Sequence, residues 1–223
     1  MALGIKTKTL RYNYNSSMHA PFGLCYITDR KDPGDPSLLA LLDEAIGCGI
    51  DLIQIRQKWM DTRSLMQIAG RAIDHARGAS SRIVINGRLD VALALGASGV
   101  HLGNHSLPAR AVRPLASPGF LVGVSCHSLE EAEEAESAGA DYLFFGPVFE
   151  TPSKRAFGPP LGLGALRQVA SRVKTPALAL GGMTLERVKP CLDAGAAGIA
   201  AIRLFEDAPS LAARVAELRA QFE

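Results

Sequence analysis

Short apolar runs alternate with longer amphipathic stretches along most of this chain. The runs are LCYIT (24–28), LIQIR (52–56), RIVIN (82–86), GVHLG (99–103), LVGVS (121–125), YLFFG (142–146), ALALG (177–181) and GIAAI (198–202). Each is brief and almost continuously apolar, as parallel strands covered on both faces must be. Between them lie PSLLALLDEAIGCG, SLMQIAGRAIDHARG, SLEEAEEAESAGA and TLERVKPCLDAGA, with apolar residues three and four apart. Eight β/α units in about 200 residues predict an α/β fold, a closed TIM (β/α)8 barrel, as one domain over residues 21–223. Residues 1–20 read as a flexible N-terminal arm. An open doubly wound sheet would need a Gly-rich dinucleotide turn after the first strand, and ITDRKDPGDPS has none. The longest irregular stretch, FETPSKRAFGPPLGLG, follows the sixth run and is expected to act as a lid.

Composition narrows the partners. Twenty-four basic and 22 acidic residues leave a formal charge of +2. That balance argues against nucleic-acid and membrane-surface binding, which need clustered basic charge. No apolar window is long enough to span a bilayer, and the first residues lack the apolar core of a signal peptide, so a cytoplasmic location is expected. Cys25, Cys48, Cys126 and Cys191 are scattered, with no C-x-x-C pair, and are expected to be buried small hydrophobes rather than metal ligands or disulfides.

In such a barrel the chemistry sits where strands end. Gln54, Arg56 and Lys58 alternate at the end of the second run and are expected to face the mouth, where two cations and an amide suit a phosphate or pyrophosphate. Asn86, a polar amide after RIVI, is expected to touch a ligand. His101 is expected to be a hydrogen-bonded interior histidine, and no metal site is expected from His101 and His105. Ser125, expected to bind substrate phosphate, closes the fifth run with Cys126 and His127, and Ser128 with Glu131 forms a capping box. His127, between strand end and helix start, is the candidate general acid/base. Thr151, Ser153 and Lys154 supply hydroxyls and a cation on the lid. Gly181 and Gly182 offer backbone N–H groups beside a helix N-terminus, a common barrel phosphate site, and Arg203 could add charge there.

Six segments, YITD, IQIRQK, INGRLDVALALGASGVHLG, VGVSCHSLEEA, GADYLFFGPVFETPSK and ALGGMT…DAGAAGIAAI, stand in order, each at a strand end. From Leu24 to about Phe205 the chain resembles the thiamine phosphate synthase/TenI superfamily of TIM barrels. The resemblance implies one of two activities. The synthase branch joins a pyrimidine methyl pyrophosphate to a thiazole phosphate and uses Mg²⁺ held by two aspartates. Gly87 and Ser106 occupy those places here, and Asp29 or Asp90 would have to substitute. The TenI branch is a tautomerase that aromatises a thiazole carboxylate phosphate without metal, and its histidine matches His127. NGRLDVAL, CHSLEEA, ADYLFFG, VFET and GGMT resemble TenI more closely, whereas Gln54, Arg56, Lys58, Thr151, Ser153 and Lys154 keep the synthase's pyrophosphate pattern. Arg203 stands where both branches usually carry serine. The expected activity is therefore the tautomerase, with no cofactor. The alternatives are the synthase, with Mg²⁺, and a non-catalytic thiazole-phosphate binding protein. The expected partner is a phosphorylated thiazole, and a homo-oligomer is compatible with the sequence.

Overall fold

The computed structural model describes residues 23–30, 37–151 and 158–222. The predicted arm, and the lid from 152 to 157, lie outside them. Eight parallel strands close in sequential order into a barrel: β1 Leu24–Ile27, β2 Leu52–Ile55, β3 Arg82–Asn86, β4 Gly99–Leu102, β5 Leu121–Cys126, β6 Tyr142–Phe145, β7 Ala177–Leu180 and β8 Gly198–Ala201. Each apolar run becomes a strand whose end falls within one residue of expectation. At β2 the reason is visible: the Arg56 N–H turns to the Thr28 hydroxyl at 2.9 Å.

The helices are α1 Ser37–Gly47, α2 Thr62–His75, α3 Leu89–Leu95, α4 Ala109–Val112, α5 Leu129–Ser137, α6 Gly162–Arg172, α7 Leu185–Asp193, α8 Arg203–Glu206 and α9 Leu211–Arg219. They bury the stripe their periodicity dictates: Leu65, Ala69 and Ala72 on α2, and Leu211, Val215 and Leu218 on α9. Residues of opposite parity on the strands fill the barrel itself, among them Cys25, Leu52, Val84, Tyr142, Phe144 and Leu178. Gly123 pairs in register with Tyr142. A β-carbon on Gly123 would lie 2.0 Å from the tyrosine ring, so the glycine is what admits that ring to the barrel. Cys25, Cys126 and Cys191 are buried and Cys48 half-buried, all as free thiols. Among the described residues, no helix is long and apolar enough to cross a membrane.

The N-terminal end of the barrel is closed by a device repeated at every second strand. Gly49, Gly96, Gly139 and Gly195 each turn the chain at positive φ two residues before Asp51, Ser98, Asp141 and Ala197. At the first three of these, the side chain accepts N–H groups from the start of the preceding strand. Asp51 takes Gly23 and Leu24 at 2.8 and 2.9 Å, Ser98 takes Ile83 at 3.2 Å, and Asp141 takes Val122 at 2.7 Å. An arginine completes the two aspartates. Arg219 bonds both oxygens of Asp51 and the Gly49 carbonyl, and Arg113 bonds Asp141 and the Gly139 carbonyl.

Candidate active site

The opposite end carries side chains that bond to one another. Gln54, 1% exposed, donates its amide to the Asn86 side-chain carbonyl at 2.8 Å. Asn86 is in register with His101 on β4. His101 is 1% exposed, with Nε2 2.8 Å from Ser125 Oγ and Nδ1 3.2 Å from Tyr142 Oη. Its ring stacks on Phe144 at 4.1 Å. Polar side chains thus stand on β2, β3, β4 and β5 inside the barrel's upper end, bonded as the pairs Gln54–Asn86 and His101–Ser125. Burial, and secondarily the charge of Arg56, push the His101 pKa down to about 3, so this imidazole is neutral. Burial holds the Tyr142 phenol far above its usual range, so it keeps its proton.

Arg56 meets Asp29 at 2.5 Å. It is a mouth cation with its own carboxylate rather than a bridge to a neighbouring helix. Lys58 departs from the expected alternation. β2 ends at Ile55, so Lys58 lies past the strand in a turn, exposed. His105 is exposed in the turn after β4 while His101 is buried, and the two do not share a site.

His127 stands where β5 gives way to α5. Ser128 caps the helix by accepting from the Glu131 N–H at 3.2 Å, and Glu131 reaches back to the His127 N–H at 2.6 Å. The His127 Nδ1 bonds to the Gly146 carbonyl on the β6 side. A carbonyl only accepts, so Nδ1 carries a proton and Nε2 is the nitrogen left to take or give one. Cap and carbonyl together fix the ring, as a general base needs.

Gly181 and Gly182 have φ of 98° and 62°. β-Carbons there would lie 2.6 Å from Pro147 and 2.5 Å from the Glu150 carbonyl, so the pair seats the loop after β7 against the loop after β6. Arg187, on α7, locks this junction through the Gly182 carbonyl and the face of Phe149. Thr151 is half-buried at the edge of the described residues, and Ser153 and Lys154 lie outside them. Arg203 opens α8 and is exposed. Two features escaped the sequence reading: Asp29 as the partner of Arg56, and Tyr142 beneath His101. Gly123 in mid-strand was the available signal for the second, because an interior glycine marks close approach by another group.

The model of the thiamine monophosphate synthase family matches residues 24–205. The chain belongs to that family. A thiamine-phosphate synthase of Chlorobium luteolum is 42% identical over 195 residues, 87% of this chain and 90% of that one. A putative thiamine-phosphate synthase of Geobacter sulfurreducens is 41% identical over 181 residues, 81% and 85% of the two chains. Among solved structures, thiamine phosphate pyrophosphorylase from Pyrococcus furiosus superposes with a TM-score of 0.79 at 32% identity, covering 91% of this chain and 96% of its own. The chain is thus an enzyme of thiamine biosynthesis.

Among the described residues, magnesium held by protein carboxylates does not fit. A β-carbon on Gly87 would lie 3.2 Å from Ser106 Oγ, so the two positions face each other, and neither supplies a carboxylate. Ser106 Oγ accepts the Gly103 N–H instead. Asp29 is engaged by Arg56. Asp90 accepts from Nε and Nη2 of Arg88, at 2.9 and 2.6 Å, which holds its carboxyl below the usual range. Among the described residues, no three His, Cys, Asp or Glu side chains cluster as metal ligands would.

Proposed function

We propose that the chain is a thiamine phosphate synthase, joining a pyrimidine methyl pyrophosphate to a thiazole phosphate with release of pyrophosphate. The observation that carries this reading is its likeness to proteins of that name, 38–42% identical across 84–89% of this chain. Those names favour the synthase over the tautomerase expected from the sequence. In the reaction the bond from the pyrimidine methylene carbon to the pyrophosphate oxygen breaks, its electron pair leaves with the oxygen, and the thiazole nitrogen bonds to the carbon. Negative charge therefore grows on the departing pyrophosphate, and fixed donors aimed at it lower the barrier. Ser125, Arg56 and Lys58 fill that role from the mouth, with Thr151, Ser153 and Lys154 covering the pyrophosphate. The Gln54–Asn86 amide pair orients the pyrimidine side. Gly181, Gly182 and Arg203 take the thiazole phosphate. No step is assigned to a metal ion.

One observation favours a second reading. His127, clamped through Nδ1 with Nε2 left to take or give a proton, is equipped to move a proton on a thiazole ring without metal. A paired assay separates the two. The purified protein is given both thiamine precursors, or the thiazole carboxylate phosphate tautomer alone, each with Mg²⁺ and with EDTA, and products are resolved by chromatography. Thiamine phosphate is the expected product. Its absence, with metal-independent tautomerisation present, would replace the synthase reading with the tautomerase.

A further inference from the structure

Three side chains from three consecutive strands form a hydrogen-bonded line through the barrel. Tyr142 lies at the buried end, 0% exposed, His101 in the middle, and Ser125 at the half-buried end toward the mouth. A neutral imidazole donates from one nitrogen and accepts at the other, so the line runs in one of two directions. The directions differ at Ser125. If Nε2 accepts, the serine proton points into the barrel and only oxygen lone pairs face the mouth. If Nε2 donates, the serine proton is free for a ligand.

The buried end chooses between them. A phenol is far more acidic than a serine hydroxyl and is the better donor to an imidazole nitrogen. The 2.8 Å separation at the other end admits donation in either direction, so the tyrosine end decides. Stacking on Phe144 at 4.1 Å keeps the ring from turning. We infer that Tyr142 donates to His101 Nδ1, that the ring proton therefore sits on Nε2, and that Nε2–H holds Ser125 Oγ with its own O–H turned to a bound phosphoryl oxygen. His101 is then a positioning residue. It presents one neutral donor to an anion beside the Arg56 cation, without adding a second charge. The choice of phosphoryl oxygen as acceptor rests on the phosphorylated substrates proposed above.

Two measurements test this on the full-length protein. With ring nitrogens labelled, ¹⁵N NMR should show His101 protonated at Nε2 and bare at Nδ1. The opposite tautomer overturns the inference. Calorimetric titration with inorganic pyrophosphate supplies a double-mutant cycle. Ser125→Ala and Tyr142→Phe should each weaken binding by about fivefold, the worth of one ordinary hydrogen bond. The double variant should be no weaker than Ser125→Ala within about twofold, because the tyrosine acts only through the serine. Multiplying losses, or an unchanged Tyr142→Phe, overturn the inference and leave the synthase reading standing. Intact coupling in a protein that converts neither set of precursors overturns the synthase reading alone. A wild type that binds no pyrophosphate overturns both. A Tyr142→Phe protein that does not fold leaves the decision to the wild-type tautomer.

Discussion

The two ends of this barrel use polar side chains in opposite ways. At the N-terminal end, Asp51 and Asp141 are filled by strand N–H groups and by an arginine from the same chain. Their partners are backbone, or side chains tied to backbone, so nothing is left to exchange. At the mouth, Gln54 bonds Asn86, Ser125 bonds His101, and Arg56 pairs with Asp29. Side chain meets side chain there, with no backbone group in any of the three pairs. One end spends its charges on closing the barrel, and the other holds them ready.

Four experiments break or sharpen that contrast. The largest effect is expected on rate. Under the second reading, in which the wild type tautomerises the thiazole, His127→Asn should lower that turnover by roughly 10²–10⁴-fold, the usual span for a general acid–base residue. The urea midpoint should stay near wild type, because Ser128 and Glu131 still cap α5. His101→Asn and His105→Asn should lose far less turnover. Wild-type rates in His127→Asn would make it a structural histidine.

Acid comes next. His101 has a pKa of about 3 when folded, against 6.5 for an unperturbed histidine. Between those values the unfolded chain binds a proton that the folded chain refuses. The stability His101 contributes is therefore whole above about pH 6.5 and falls as pH drops toward 3, by at most about 1.4 kcal/mol per unit. Urea unfolding from pH 7 to 4 should show a shallower decline in His101→Asn than in wild type. Parallel curves would mean that the site relaxes to accept the proton.

The closing aspartates should affect stability alone. Asp51→Ala removes the acceptor of two N–H groups and both Arg219 contacts, and should cost about 2–3 kcal/mol by denaturant titration. Activity per folded molecule should not change. Asp141→Ala should cost less, because one N–H depends on it rather than two. The smallest effect belongs to Asp29→Asn. Its pair with Arg56 is partly exposed, so stability should move by under about 1 kcal/mol. Inorganic pyrophosphate should bind several-fold more tightly as Arg56 loses its carboxylate. Weaker binding would show that Asp29 holds Arg56 in place rather than competing with the anion.

The apolar runs and helical stripes determined the barrel, because a strand covered on both faces and a helix covered on one leave periodic marks that local sequence cannot hide. The capping of α5 was legible for the same reason: Ser128 and Glu131 are three residues apart and meet within one turn. The chain of residues at strand ends was legible as a set of candidates. What they bond to was not. Asp29 and Arg56 are far apart in sequence, and only the pairing of β1 with β2 brings them together. The Tyr142–His101–Ser125 line depends on three strands meeting in register and on Gly123 leaving space for a ring. His127 was named by position, but the carbonyl its Nδ1 bonds belongs to Gly146, just past β6 and 19 residues away. Periodicity encodes which face a residue turns, whereas its partner on another strand is set by register, and register exists only once the strands have paired.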